Sequence, residues 1–286
     1  MRCLINFFKI IIRDFLQNLG LEIRRYEPQS SYHVAMSLML CKHQYAVKQT
    51  NPLEKSFIEF CVNSYPTSYS QRGQDLFAAW ANLHEKKSRG FCIEFGAGDG
   101  LFISNTAHLS KNLNWHALLI EPNPRFFKRL VKNRRNDNCI QGAVAGINDT
   151  PGDKVKFIEA GLLTMQESLP VTENLKLLFR KIETKTFKAL LWDLNKLIEN
   201  STKSTIVNYM SVDTEGSELE ILQTIDFNKY RFNALSIECE EAQKDRAEKI
   251  CLFLSEKGYE RIFSYGITGV DLWFLNNDHP LLNLSL

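Results

Sequence analysis

From residue 91 to residue 276 the chain alternates between two patterns. Short apolar runs at 91–95, 116–121, 139–144, 154–160, 205–212, 234–239, 259–264 and 271–275 predict strands. Amphipathic stretches between them predict helices at about 104–111, 124–133, 185–199, 217–224 and 243–257. Residues 161–184 fit neither pattern and read as an irregular insertion. Strands that alternate with helices predict βαβ units and a mainly parallel α/β sheet. In such sheets ligands sit beyond the carboxyl ends of the strands, where the strand order reverses. The loops that follow strands are therefore the places to look for chemistry.

The first 69 residues carry a different pattern. Leu4, Phe7, Phe8, Ile11, Ile12, Phe15, Leu16 and Leu19 recur at helical spacing, with Arg2, Asn6, Lys9, Arg13, Asp14, Gln17 and Asn18 opposite them. Lys9 and Arg13 break every apolar run well short of a membrane span and spoil a signal-peptide core. Two readings stay open for 1–20: a helix packed on its own domain or on a partner subunit, in a homo-oligomer, or a peripheral helix lying on a membrane surface. Helical stretches are expected near 31–48 and 53–62. The chain thus divides into a helical extension, 1–69, and a larger α/β domain, 70–286.

Composition narrows the class. With 286 residues, 44% hydrophobic and 24% charged, the chain can bury a substantial core. A formal charge of +2 argues against a protein that grips nucleic acid mainly through its phosphates. The seven cysteines include no CxxC pair, so a reducing, cytoplasmic setting is expected, and the sequons at Asn200 and Asn283 read as chance.

The loop after the first strand is the strongest signal. It reads Glu94-Phe95-Gly96-Ala97-Gly98-Asp99-Gly100. Its glycines allow a tight turn and close approach of a ligand to the backbone. A dinucleotide fingerprint is one residue longer, and its helix start receives a pyrophosphate. Here Glu94 and Asp99 would repel a pyrophosphate but suit a cationic ligand with an amino group. S-adenosylmethionine carries both an α-amino group and a sulfonium. The second strand ends in Glu121, followed by Pro122 and Asn123, and a carboxylate there is placed to receive both ribose hydroxyls. Ala143 and Val144, at the end of the third strand, are placed to flank adenine.

Together with Asp213-Thr214-Glu215-Gly216-Ser217-Glu218 and the upstream Ser70-Gln71-Arg72-Gly73-Gln74-Asp75, these motifs resemble the FkbM family of S-adenosylmethionine-dependent methyltransferases. The resemblance covers about residues 70–276. It implies a Rossmann-like class I methyltransferase fold, with a seven-stranded, mainly parallel sheet whose last strand, 271–275, is antiparallel. It also implies methyl transfer to oxygen, commonly a hydroxyl of a sugar, glycolipid or polyketide-like molecule. The chain departs from the family pattern at 161–204 and in its N-terminal extension.

The residues of the third motif have a reading of their own. An acid at a strand tip can orient an acceptor hydroxyl and take its proton. Asp213 is the first candidate for that role and Glu215 the second; the alternative is that Asp213 touches only the methionine part of the cofactor while Glu215 braces the turn. Ser217 and Glu220 have the spacing of a capping box. Asp213 with Glu238 or Glu240 supplies only two acids for a divalent cation, so no metal is assigned. Gln71 and Asp75 either fold over the cofactor as a lid or pack against the sheet edge. The basic run Arg125, Lys128, Arg129, Lys132, Arg134 and Arg135 reads as a solvated helix face. The leading reading is an O-methyltransferase acting on a small-molecule or glycan hydroxyl, with no nucleic-acid partner. The alternative is a catalytically idle methyltransferase-like assembly module at a membrane surface.

Overall fold

The computed structural model describes residues 51–84, 89–160, 163–169, 179, 184–239 and 243–285. The amphipathic stretch at 1–20, the predicted helix near 31–48 and Glu240 lie outside them. Among the described residues no helix is long and apolar enough to cross a membrane, and Cys61, Cys92, Cys139, Cys239 and Cys251 are free thiols.

Helix α1, Pro52–Ser64, starts where Asn51 accepts a hydrogen bond from the Leu53 amide at 2.8 Å and Pro52 occupies the first turn. Helix α2, Gln74–Ala81, is buried at all eight positions, as expected of a helix that is apolar around most of its circumference. Phe77 of α2 stacks on Trp273 with ring centroids 4.6 Å apart. These two helices cover one face of the main sheet.

The main sheet holds β1 (Phe91–Phe95), β2 (His116–Glu121), β3 (Asn138–Gln141), β8 (Ile206–Val212), β9 (Arg231–Glu238), β10 (Tyr259–Ile262) and β11 (Asp271–Asn276), in the order β10-β11-β9-β8-β1-β2-β3. All run parallel except β11, which is antiparallel to both β9 and β10. Both faces are covered, which is why the central strands are continuous apolar runs. Helices α3 (Ala107–Leu113) and α4 (Pro124–Asn133) contribute Leu109 and Leu130 to the core on the α1–α2 face. Helices α5 (Leu194–Ser201), α6 (Glu218–Leu222) and α7 (Lys244–Glu256) pack on the other face. The chain runs outward from β1 to β3 in one direction and from β8 to β10 in the other. The strand order therefore reverses between β1 and β8, and their two tips carry the glycine loop and the Asp213 loop.

Two expectations are corrected beside this sheet. The run at 139–144 is not one strand: it breaks at Gly142, which has φ +142°, and β4 (Ala143–Val144) leaves to join a second sheet. That sheet has the order β4-β7-β5-β6, with β5 Lys154–Ala160, β6 Leu163–Gln166 and β7 Lys185–Trp192. Residues 185–199, predicted as one helix, are strand β7 followed by α5. Ala189 and Leu191 are buried at alternate positions of β7, and Phe187 stacks on its β5 partner Phe157 at 5.7 Å. Pairing with β5 overrides a mixed local pattern. The helix begins only where the Asp193 side chain accepts from the Lys196 amide.

Candidate active site

The glycine loop is held from below by two buried carboxylates. Glu94, 2% exposed, accepts from the Ser104 hydroxyl at 2.9 Å, the Thr106 hydroxyl at 2.5 Å and the Asn105 amide at 2.6 Å. The Arg134 guanidinium reaches the Gly100 carbonyl and the Ser104 hydroxyl of the same loop. Burial raises the Glu94 pKa, opposed by Arg134 and these hydrogen bonds. Glu94 was expected to face a ligand; its carboxylate instead ties the end of the loop back to β1. That use of residues 104–106 also delays the start of α3, which was expected at 104.

Glu121 plays a similar part from β2. One oxygen accepts from the Gly98 amide at 2.8 Å and the other from the Asn123 amide at 2.7 Å. Burial pushes its pKa up to about 7, with the charges of Asp213 and Glu94 adding and the two amides opposing. Each oxygen retains a second acceptor direction, the requirement for receiving ribose hydroxyls. Asp99 accepts from the Leu101 and Phe102 amides and so closes its own turn. Asn123 caps α4 through Arg125 and sends its amide to Thr164 of β6. Ala143 and Val144 stand on β4, beyond Gly142, with Ala143 half-buried and Val144 buried.

Two glycines show where space is left. A Cβ at Gly96, where φ is +67°, would stand 2.5 Å from the Asp213 carbonyl oxygen, so this turn lies directly against the tip of β8. A Cβ at Gly98, where φ is +56°, would meet nothing within 4 Å. The backbone of Gly98 thus borders open space at the switch point.

The Asp213 loop is organised by the last acid of its own motif, to which the sequence assigns no role. Glu218, fully buried, accepts from the Thr214 and Gly216 amides at 3.0 and 3.1 Å and from the Thr214 hydroxyl at 3.0 Å. Its second oxygen pairs with Arg246 of α7. The expected capping box is absent: Ser217 makes no side-chain cap and bonds to the Thr214 hydroxyl instead. Glu215 has a left-handed backbone, φ +57°, and its charge faces Arg246. Burial holds the Arg246 pKa below its ordinary value against that charge.

Strand register sets the remaining acids in a row. Val212 pairs with Ile237, which brings Asp213 beside Glu238, and Glu238 pairs with Asp271. The Asp213 and Glu238 carboxylate oxygens lie within 4.8 Å of one another. Burial raises Asp213. Glu238 lies well above the ordinary carboxylate range, first because of the Asp213 charge, then burial, Glu215 and Asp271. Burial and Asp213 lift Asp271 to about 7, opposed by hydrogen bonds from Gln74 and Trp273 and by Arg72. Asp271 was legible in principle, because the first residue of an antiparallel strand lies at the carboxyl edge of its parallel neighbour.

Glu215 adds a third carboxylate oxygen within 4.8 Å of those of Asp213 and Glu238. This grouping has the dimensions of a cation site and supplies the third acid that the sequence did not show, with Arg246 facing Glu215.

The pre-core segment also differs from expectation. Asp75 is sealed inside its own turn, accepting from the Ser68 and Ser70 hydroxyls at 2.7 and 2.6 Å and from the Tyr69 and Ser70 amides. It cannot serve as a lid from there, and Gln71 is exposed. Arg72 and Gln74, between them, are the residues that reach Asp271. An isolated bridge from Ser70 to Ile103 ties the segment to the end of the glycine loop.

The donor set at the switch point is therefore rich in carboxylates, and residues 96–106 include no lysine or arginine. That chemistry fits a cationic ligand and opposes a pyrophosphate. The model of the methyltransferase FkbM domain matches residues 94–261, more than half of the chain. The chain belongs to the FkbM methyltransferase family. It is an S-adenosylmethionine-dependent methyltransferase, and the residues described fit that cofactor: open space at Gly98, Glu121 beneath it, and acids at the tips of β8 and β9. No curated protein matches the chain in sequence. Similar solved structures include methyltransferase FkbM from Methylobacillus flagellatus KT (12% identity, 85% of this chain and 58% of that one, TM-score 0.40). The N-terminal domain of human METTL16 with S-adenosylhomocysteine is another (12%, 88% and 95%, TM-score 0.39), as is the human methyltransferase 10 domain containing protein (11%, 80% and 97%, TM-score 0.39).

Proposed function

We propose that this FkbM-family enzyme transfers the methyl group to a hydroxyl oxygen of a small-molecule or glycan acceptor. Asp213 receives the hydroxyl proton, and Glu215 helps to orient the acceptor. The observation that carries the reading is the position of Asp213. It is partly exposed, stands at the switch point against Gly96, and has a pKa raised by burial. When bound, S-adenosylmethionine supplies an electrophilic methyl on a cationic sulfur. A hydroxyl must then be aligned with that methyl and relieved of its proton as the O–CH3 bond forms and the S–CH3 bond breaks. A carboxylate with a raised pKa is a better proton acceptor than an ordinary surface aspartate. Asp213 takes the proton and returns it to water after the product leaves.

The test is incubation with methyl-labelled S-adenosylmethionine and small-molecule extracts, with mass spectrometry of the labelled product. A methyl ether supports the reading, and label on nitrogen or carbon contradicts it.

A further inference from the structure

We infer that Glu238 is a positioning residue of this site: it carries the single proton of a carboxyl pair with Asp213 and donates it in the hydrogen bond that orients the Asp213 carboxylate toward the acceptor. This rests on the reading of Asp213 as the proton acceptor.

The argument starts from how charge is matched along the row. Asp271 of β11 has Arg72 beside it and hydrogen bonds from Gln74 and Trp273. Glu215, in the loop after β8, faces Arg246 of α7. Glu121 of β2 is held by two backbone amides, and Glu94 of β1 by hydroxyls, an amide and Arg134. The inner pair, Asp213 and Glu238, sits on adjacent strand tips with carboxylate oxygens within 4.8 Å of one another, and among the described residues neither forms an ion pair with a basic side chain. Two carboxyls this close, without a cation between them, do not both ionise; one proton is shared.

Position decides which of the two holds it. Glu238 has acids on three sides, with Asp213, Glu215 and Asp271 all acting on it. A negative charge is least tolerable there. Asp213 stands against the cofactor loop, where a cationic sulfur favours its ionised form. Glu238 therefore holds the proton and Asp213 the charge. The hydrogen bond occupies one lone pair of Asp213 and sets the rotation of its carboxylate. An acceptor proton then arrives at Asp213 while Glu238 keeps its own.

The experiment uses the full chain labelled with carboxyl 13C at Asp and Glu, with pH titrations by NMR of the wild type, Asp213→Asn, Glu238→Gln and Glu238→Ala. A wild-type pair that titrates in two coupled steps, one well above the range of ordinary carboxyls, supports the inference. So does collapse of that coupling in Asp213→Asn. Methyl transfer should fall about tenfold to a hundredfold in Glu238→Ala and recover largely in Glu238→Gln, whose amide still donates. Affinity for S-adenosylmethionine should stay within about threefold in both. Independent, ordinary titrations of the two carboxyls would overturn the inference. So would stoichiometric Mg2+ binding that moves both resonances, because a cation rather than a proton would then join them. Full methyl transfer by Asp213→Asn would instead overturn the reading of Asp213 on which the inference rests.

Discussion

Gly96 and Asp213 meet backbone to backbone: a single carbon added at position 96 would stand 2.5 Å from the Asp213 carbonyl oxygen. The two loops at the switch point are therefore fitted to each other, while the neighbouring Gly98 faces open space. Gly96→Ala should cost stability through both the collision and the left-handed backbone, by about 2 kcal/mol or more. Gly98→Ala should cost only about 1 kcal/mol, yet weaken S-adenosylmethionine binding at least tenfold, because its methyl would enter the space left for the ligand. Thermal unfolding and calorimetry on the two variants separate these effects.

The Glu218–Arg246 pair supports the Asp213 loop from beneath. Glu218 is fully buried and the Arg246 side chain is 25% exposed. Removing one partner of a buried pair leaves the other uncompensated, typically at a cost of about 3 kcal/mol. Arg246→Met should therefore destabilise the protein by about that much in urea unfolding. Its methyl transfer should fall more than its cofactor affinity, since the Thr214–Gly216 turn loses its anchor while the glycine loop does not.

Asp75 shows the opposite division. It is fully buried, and its carboxylate accepts from residues 68–70 and from the Leu76 amide. Asp75→Ala should lower stability by about 3 kcal/mol. At a temperature where the variant remains folded, calorimetry should show S-adenosylmethionine affinity within about threefold of the wild type.

The pH dependence follows from the buried acids. Glu121 and Asp271 have pKa values near 7 in the folded protein, against 4.5 and 3.8 unfolded. Between those limits the native state binds more protons than the unfolded state. The stability they contribute is therefore complete below about pH 4 and is lost as pH rises toward 7. Urea midpoints should fall from pH 5 to pH 7.5, and Glu121→Gln should flatten the slope. A cationic ligand favours the ionised forms, so S-adenosylmethionine affinity should rise over the same interval.

Much of this was legible in the sequence because the central strands are buried on both faces. Such strands appear as continuous apolar runs, and their tips carry the glycines and acids in plain order: Gly96 to Gly100, Glu121, Asp213. Strand β7 was hidden because Lys185–Trp192 places polar residues at spacings compatible with either repeat; only pairing with β5 decides between them. Glu94 was misread for a related reason. A loop acid looks the same whether it faces a ligand or its own backbone, and here the Glu94 carboxylate folds inward. Arg246, Arg72 and Gln74 act through contacts between elements far apart in the chain, which no local spacing records, and Glu218 joins them through Arg246. The alignment of Glu238 with Asp271 needed the strand register.

The central claim is that Asp213 receives the acceptor proton. The most direct measurement pairs calorimetry with a methyl-transfer assay on Asp213→Asn, using labelled S-adenosylmethionine and the acceptor isolated from extracts. The substitution keeps the shape and removes the proton acceptor. The predicted result is cofactor affinity within about threefold of the wild type and methyl transfer reduced by about a hundredfold or more. Methyl transfer at the wild-type rate with intact cofactor binding would contradict the account.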